Sequence, residues 1–438
     1  MHRKTELAAW LIILTIVAGL VVLNARRRNA VGAGDPLGDL RLKLLAQELI
    51  GVRSLALGTP KAADAQMTRL IEQIDKETRK PEDKVLAAIL VGYLQSKAIA
   101  QVRLDQIAES TDSPEVDSDI ATLRTIFNDG VDALQAAEAN RLVRRYGYFG
   151  RMALAVDAPK NSNERRAIET PAMRTLLVLG AIGLGLLALI VLSLGLLVVA
   201  IVAWNQGKIH AGYTPIPSGN FAYLEAFALY MVLFIGLSVV VHGLGLTSPN
   251  WNWLAWLIIP IAIWWIEKRS GSTVDWRRAL GWYSGKGWLW ECAAGLAGYL
   301  ACIPFIAIGA VITFILVRVT GVVPRDAVTP LLQGNPIVIY GLACVFAPVI
   351  EETMFRGMLF HHLRGRWAWA PSAAVVAVIF AAIHPQGWVA VPVLASIALA
   401  LAALREWRGS IIASMTAHAF NNFMAITVAL VLLRGSGG

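Results

Sequence analysis

The chain has 438 residues, of which 56% are hydrophobic and only 16% are charged. This composition excludes an ordinary soluble enzyme and indicates a membrane protein with several spans. The formal net charge is +9, but the basic residues are spread along the chain and many flank apolar runs, which favours anchoring at a membrane edge over nucleic-acid binding.

The first 28 residues have the pattern of a signal anchor. An apolar stretch of residues 7–23 follows a basic start and ends before Arg26, Arg27 and Arg28. The core of a cleaved signal peptide is shorter and is followed by small residues at its cleavage site. The pattern therefore predicts a retained anchor over residues 1–28.

Residues 29–170 are rich in alanine, leucine and charged residues and predict an extramembrane helical domain. Their apolar positions recur at helical spacing, as expected of amphipathic helices that pack together. These positions include Met67, Leu70, Ile71 and Ile74; Val85, Ile89 and Leu90; and Ile120, Leu123, Phe127, Val131 and Leu134. The region contains no histidine and no cysteine, so we expect it to bind a protein partner or to present a substrate, and not to hold a metal or a nucleophile.

After Pro171 the chain is predominantly apolar and predicts a polytopic membrane bundle. Eight apolar runs follow: 173–204, 221–245, 251–266, 289–317, 336–360, 371–387, 388–404 and 410–433. A span needs about 20 residues, and with the anchor these runs predict about 8–9 spans. We therefore expect an all-α polytopic membrane helical bundle with the helical domain inserted after the first span. Residues 171–270 would form transmembrane helices, and 271–438 the core with the candidate site.

The charges of the loops predict the orientation of the bundle. One alternating set of loops holds nine basic residues: Lys268, Arg269, Arg277, Arg278, Lys286, Arg364, Arg366, Arg405 and Arg408. The opposite set holds three: Arg318, Arg325 and Arg434. The basic set is expected to face the cytoplasm in a bacterial-type plasma membrane. The 29–170 domain is then extracytoplasmic, although Arg26 to Arg28 lie on the unfavoured side.

Two adjacent carboxylates and an arginine interrupt the apolar run 336–360. A charged side chain at the centre of a membrane helix costs roughly 2.5–3.5 kcal/mol on insertion scales, so Glu351, Glu352 and Arg356 need partners or a wet cavity. On a regular helix Glu352 and Arg356 are i and i+4 with the acid first, the favourable order for an ion pair, and Glu351 points about 100° away. We therefore expect one neutralised carboxylate and one free carboxylate.

Two histidines and an asparagine follow on later apolar runs. His384 ends one run and shares a helix face with Phe380, while His418 shares a face with Asn422, one turn further on. Taken singly, such residues are often only hydrogen-bonded links between membrane helices. Together with the acidic cluster they indicate a site that is assembled from three helices.

These motifs resemble those of the CPBP family, the CAAX-protease and bacteriocin-processing intramembrane proteases that include the type II CAAX prenyl endopeptidases. The pattern is EExxxR from Glu351, FxxxH ending at His384 and HxxxN from His418. The resemblance covers about residues 275–433. It implies an intramembrane endopeptidase core over 271–438 that cleaves a membrane-associated or lipidated, CaaX-like substrate.

The resemblance also implies roles for individual residues. Glu351 and His384 would activate a water molecule, and His418 and Asn422 would hold the carbonyl oxygen as it becomes an oxyanion. The residue types suit these tasks, because a carboxylate in a low-dielectric cavity is a competent general base and neutral N–H groups stabilise a developing negative charge. No cofactor is required by this mechanism.

A metal-dependent mechanism is the alternative for the same cluster. Glu351, His384 and His418 are a suitable ligand set for catalytic Zn²⁺ with a water in the open position. The sequence has no HExxH motif, and we slightly favour the metal-free glutamate mechanism. In that mechanism Glu352, paired with Arg356, orients the helix and screens the cluster.

The sequence leaves two points of function open. A prenylated peptide, an unmodified peptide and a membrane protein are all possible substrates, because no lipid-binding groove is specified. A function of a different class is a catalytically silent membrane scaffold or bacteriocin-immunity protein on the same fold, with the 29–170 domain as its partner-binding module.

Overall fold

A computed structural model describes residues 2–30, 36–54, 81–215, 221–246, 254–270, 275–325 and 334–435 of the chain. The predicted helix face at Met67, Leu70, Ile71 and Ile74 lies outside these ranges. The side chains of Arg26 to Arg28 and Arg434 are likewise outside the description.

The described ranges are helical and contain no strand, which confirms the all-α prediction. The helices are α1 (His2–Ala30), α2 (Pro36–Ser54), α3 (Pro81–Leu94), α4 (Lys97–Ala108), α5 (Pro114–Asp129), α6 (Ala136–Leu154), α7 (Asn163–Asn205), α8 (Ala222–Gly243), α9 (Ile258–Ser270), α10 (Trp276–Leu280), α11 (Trp288–Thr320), α12 (Pro336–Arg364), α13 (Trp369–Ile383), α14 (Val391–Arg408) and α15 (Ile412–Gly435). Short 3₁₀ turns lie at Val131–Ala133 and Trp388–Ala390.

Seven helices in the described ranges are long and apolar enough to cross a membrane: Lys4–Asn24, Asn163–Asn205, Ala222–Val241, Trp288–Thr320, Pro336–Arg364, Trp388–Arg408 and Ile412–Leu432. The predicted polytopic bundle is confirmed, but the count is lower than the 8–9 spans expected. The run 251–266 contributes to α9, which has only 13 residues and ends in charged side chains. The run 371–387 forms α13 with 15 residues, or about 22 Å of helix against a hydrocarbon core of about 30 Å.

The chain divides into two compact units, residues 34–185 with 430–438 and residues 1–33 with 186–429. In the first unit α3 lies at the centre, and its Val85 and Ile89 are fully buried. Ile120 and Leu123 of α5 share this core, as their spacing predicts. The four-part domain division by sequence stays a prediction.

One carboxylate lies inside the core of this helical unit. Asp119 is 1% exposed and accepts a 2.9 Å hydrogen bond from the Tyr146 hydroxyl. Arg145 approaches the same carboxylate at 3.0 Å. Burial, and then the hydrogen bond to Asp119, raise the pKa of Tyr146, so its hydroxyl remains a donor at neutral pH. The network therefore fixes α6 against α5 through a buried polar contact.

The second unit has a core to which the N-terminal helix belongs. Ala9 and Ile13 of α1 are buried in one cluster with Phe227 of α8, Phe355 of α12 and Phe380 of α13. Loss of α1 would expose part of this apolar cluster, and the retained anchor over residues 1–28 stays a prediction.

We predict that Asp119→Ala lowers the free energy of unfolding of the helical unit by about 2 kcal/mol, because the buried Tyr146 hydroxyl loses its acceptor. Hydrogen exchange of the α5 and α6 amides in the full-length protein measures this loss. Glu115→Ala is the control, since Glu115 pairs with Arg145 but its side chain is 76% exposed, and it should change stability by no more than about 0.5 kcal/mol. Equal losses in the two variants would contradict the prediction.

Candidate active site

The acidic cluster lies on a helix with an irregular backbone. Two π-helical segments of α12, Leu342–Phe346 and Thr353–Leu359, flank the regular turn that holds Glu351 and Glu352. π-helical segments are rare in proteins, and those that occur are frequently found at functional sites. Their widened turn leaves backbone carbonyl groups without their usual hydrogen-bond partners. The apolar run 336–360 predicts a regular helix. The two π segments were not predicted, because they have no simple signature in the spacing of residues.

Each π segment receives a hydrogen bond from a side chain of another helix. The Asn422 amide nitrogen donates to the Ala343 carbonyl at 2.8 Å, and the Arg405 Nε donates to the Arg356 carbonyl at 3.4 Å. A donor inserted in this way satisfies a carbonyl that the widened turn has released. Contacts from α15 and α14 thus hold the irregular shape of α12.

Glu352 and Arg356 form a completely buried ion pair. Their side chains are 0% exposed, and Arg356 Nη1 lies 3.0 Å from Glu352 Oε1. The second guanidinium nitrogen donates to the Ala398 carbonyl at 3.0 Å, and the guanidinium lies 5.0 Å from the centre of the Phe380 ring. The pairing that the i, i+4 spacing predicts is present, and it also ties α12 to α14 and α13.

His418 connects the two carboxylates. Its Nδ1 is 3.0 Å from Glu352 Oε1, and its Nε2 is 3.8 Å from Glu351 Oε2. Because Glu352 Oε1 already accepts from Arg356, it acts as an acceptor, so Nδ1 of His418 carries the proton of this contact. The free carboxylate therefore faces Nε2, the other nitrogen of the ring.

Glu351 has the features of the free carboxylate that the sequence predicts. Its side chain is 30% exposed, in contrast to the fully buried Glu352. Its Oε2 is buried, and within the described part of the chain that atom has no hydrogen-bond partner. An unpaired buried carboxylate oxygen is costly unless water or another polar molecule binds it, so this atom is a natural place for one.

His384 lies at the end of α13, where it caps the helix. Its Nδ1 is 2.5 Å from the Phe380 carbonyl and its ring is 4.3 Å from the Phe380 ring. A carbonyl can only accept, so Nδ1 is the donor and, in the neutral ring, Nε2 keeps its lone pair. The same Phe380 ring lies 6.2 Å from the ring of His418, and thus packs near both histidines. The described contacts include no ion pair or hydrogen bond between His384 and Glu351.

Asn422 lies one turn beyond His418 on α15 and is half-buried. Its amide nitrogen gives one hydrogen to Ala343, and an amide has a second hydrogen to offer.

Of the predicted site residues, the structure gathers Glu351, Glu352, Arg356 and His418 by direct contact. His384 and Asn422 are joined to the cluster through Phe380 and through the backbone of α12.

A zinc site requires three or more ligand atoms around one point. In the described residues no three His, Cys, Asp or Glu side chains are gathered in this way. The alternative ligand set of Glu351, His384 and His418 is not gathered around one point in the described residues, although Nδ1 of each histidine is engaged by Glu352 or by a carbonyl, a pattern that leaves Nε2 available to a metal. The metal-free mechanism therefore stays a prediction.

Two residues near the site were not recognised from the sequence. Arg405, counted as a cytoplasmic loop residue, is instead fully buried, and its Nη2 donates to the Ala279 carbonyl at 2.9 Å. Trp282 donates to the Thr353 hydroxyl at 3.2 Å, next to Glu352. The first contact places α10 against α14 and the second places the segment after α10 against α12, and neither has a local sequence signal.

Comparison with known proteins adds one finding. Residues 333–424 match the family model described as type II CAAX prenyl endopeptidase Rce1-like. This confirms the resemblance drawn from the three motifs, all of which lie in the matched segment, and it supports a membrane endopeptidase. No curated protein and no solved structure shows significant similarity to the chain.

We predict that Arg356→Met lowers the free energy of unfolding by about 3–5 kcal/mol, because it leaves the buried Glu352 carboxylate without its cation. Glu352→Gln combined with Arg356→Met should lose less, since no buried charge is then left alone. Thermal unfolding of the detergent-purified proteins compares them. Arg318→Met, on an exposed position of α11, is the control, and a loss for Arg356→Met no larger than for this control would contradict the prediction.

Proposed function

We propose that the protein is an intramembrane endopeptidase that hydrolyses a peptide bond with a water molecule activated by Glu351 and His384. The observation that carries the proposal is the asymmetry of the two carboxylates. Both carboxylates have a buried Oε2 without a hydrogen-bond partner in the described residues, but Glu352 is fully buried and neutralised by Arg356 at 3.0 Å, while Glu351 is 30% exposed and faces His418 at 3.8 Å. This arrangement offers one free base in surroundings of low dielectric constant.

In the proposed reaction Glu351 takes a proton from the bound water as the water oxygen attacks the carbonyl carbon of the peptide. His384, with the lone pair on Nε2, accepts a hydrogen bond from the same water and helps to orient it. The carbonyl oxygen becomes an oxyanion, and the proton held by Glu351 then passes to the leaving amine nitrogen as the C–N bond breaks. Glu351 is ionised again at the end of the cycle.

The proposed oxyanion donors are Asn422 and His418. Asn422 supplies its second amide hydrogen. His418 already gives its Nδ1 proton to Glu352 at 3.0 Å, so a donation to the oxyanion through Nε2 requires a second proton on the ring. Glu352 and Arg356 thus have a positioning role, because they hold the ring of His418 and not the substrate.

The proposed substrate is a membrane-associated or lipidated peptide with a CaaX-like end. This proposal rests on the description of the matched family and on the position of the site in a helix that can span the membrane. The proposed surroundings are a bacterial-type plasma membrane. By the charge of the loops, the 29–170 domain is proposed to lie outside the cytoplasm, where it would bind a protein partner or guide a substrate.

We predict that Glu351→Gln abolishes cleavage of prenylated and unmodified peptides, with a fall in kcat of at least about 100-fold, because an amide cannot take the proton from water. Cleavage is measured with detergent-purified protein and a panel of labelled peptides. Glu225→Gln is the control: Glu225 is a carboxylate on α8 that binds Arg269 at 2.8 Å, and its removal should leave cleavage intact. Wild-type behaviour of Glu351→Gln in cells would favour a silent scaffold or immunity protein.

We predict that a strong zinc chelator leaves wild-type cleavage unchanged, because the proposed mechanism uses only side chains and water. The same peptide assay is run with and without the chelator, followed by addition of zinc. Loss of cleavage on chelation and its return with zinc would move Glu351, His384 and His418 into a metal site and contradict the metal-free mechanism.

A further inference from the structure

A chain of hydrogen bonds runs from α11 to the Asn422 amide. The hydroxyl of Tyr299, which is 5% exposed, donates to Asn421 Oδ1 at 2.6 Å. The Asn421 amide nitrogen donates to Asn422 Oδ1 at 3.2 Å, and the Asn422 nitrogen donates to the Ala343 carbonyl at 2.8 Å. Tyr299 lies outside the segment that matches the family model, so it belongs to none of the motifs.

The direction of every bond in this chain follows from its last member. A backbone carbonyl only accepts, so the Asn422 atom that faces Ala343 must be the nitrogen. The Asn422 oxygen then faces Asn421, which must present its own nitrogen. This leaves the Asn421 oxygen for Tyr299, whose hydroxyl must therefore donate. Each link allows one orientation, and an amide turned by 180° at any point would place two acceptors or two donors together.

We infer that Tyr299 and Asn421 are positioning residues that fix the orientation of the Asn422 amide, so that it presents N–H groups and not its oxygen. The inference rests on the proposed function, in which Asn422 stabilises the oxyanion. An amide that turned over would direct a partial negative charge at the developing negative charge and oppose the reaction. The chain from Tyr299 opposes that turn on the oxygen side of the Asn422 amide, as the Ala343 carbonyl does on the nitrogen side.

The structure offers a matched control for Tyr299. Tyr340, at the start of α12, forms a 2.8 Å hydrogen bond with the Thr427 hydroxyl, also on α15. It therefore has the same chemistry and the same helix as partner, but its described hydrogen bond does not involve the Asn421–Asn422 pair. Phenylalanine at either position removes one hydroxyl from a contact between helices. Only Tyr299→Phe removes the hydrogen bond to Asn421, and with it the support of the Asn421–Asn422 amides.

We predict that Tyr299→Phe lowers kcat about 10-fold with KM unchanged, because the oxyanion exists only in the transition state. Tyr340→Phe should keep kcat within about twofold. Tyr299→Phe added to Asn422→Ala should have no further effect on kcat, since the amide that it positions is gone. Asn421→Leu should reproduce Tyr299→Phe, and the two together should be no worse than the stronger single change.

The outcomes separate this inference from the proposed function. Cleavage by Glu351→Gln at the wild-type rate would overturn the proposed function. An inactive Glu351→Gln with equal kcat for Tyr299→Phe and Tyr340→Phe would overturn only the positioning role. A second measurement does not need a substrate: the melting-temperature losses of Tyr299→Phe and Asn422→Ala should be non-additive in the double variant, although the two side chains are linked only through Asn421. Additive losses would overturn the inference.

Discussion

The buried ion pair of Glu352 and Arg356 is the contact on which the candidate site depends. Two charges with no exposed surface are stable there only because each has further partners: His418 for the carboxylate, and the Ala398 carbonyl for the guanidinium. A buried pair of this kind adds little net stability, yet loss of one member is severe. Its role is therefore to specify an arrangement of α12, α13, α14 and α15.

This arrangement makes two adjacent glutamates chemically different. Glu352 is fully buried and held by a cation and a histidine, and Glu351 remains 30% exposed. A site with two equivalent carboxylates would have to neutralise both or repel itself. In the proposed reaction the ion pair removes Glu352 from the chemistry, and Glu351, beside the second nitrogen of His418, is the single base.

The irregular backbone of α12 is held by side chains of the same neighbouring helices, α14 and α15. Its two π segments lie on either side of the carboxylates, and each has a carbonyl that accepts from a side chain of a neighbouring helix, Asn422 or Arg405. The proposed oxyanion donor is thus also a support of the helix that carries the proposed base. The matched segment 333–424 does not contain all of this structure: α1 supplies part of the core, and Tyr299 of α11 begins the hydrogen-bond chain to Asn422.

The sequence by itself determined the helical membrane class, the three motifs and the pairing of Glu352 with Arg356. These follow from composition, apolar run length and a spacing of four residues, which are properties of a single helix or of the chain as a whole. It predicted 8–9 spans where seven helices of the described residues are long enough to cross a membrane, because apolar runs do not reveal that α9 and α13 are short. The tertiary structure decided which nitrogen of His418 contacts which glutamate, that Arg405 is buried and not in a loop, and that Tyr299 reaches Asn421. These contacts join residues 66, 49 and 122 positions apart, and their existence depends on how helices pack, which no local spacing specifies.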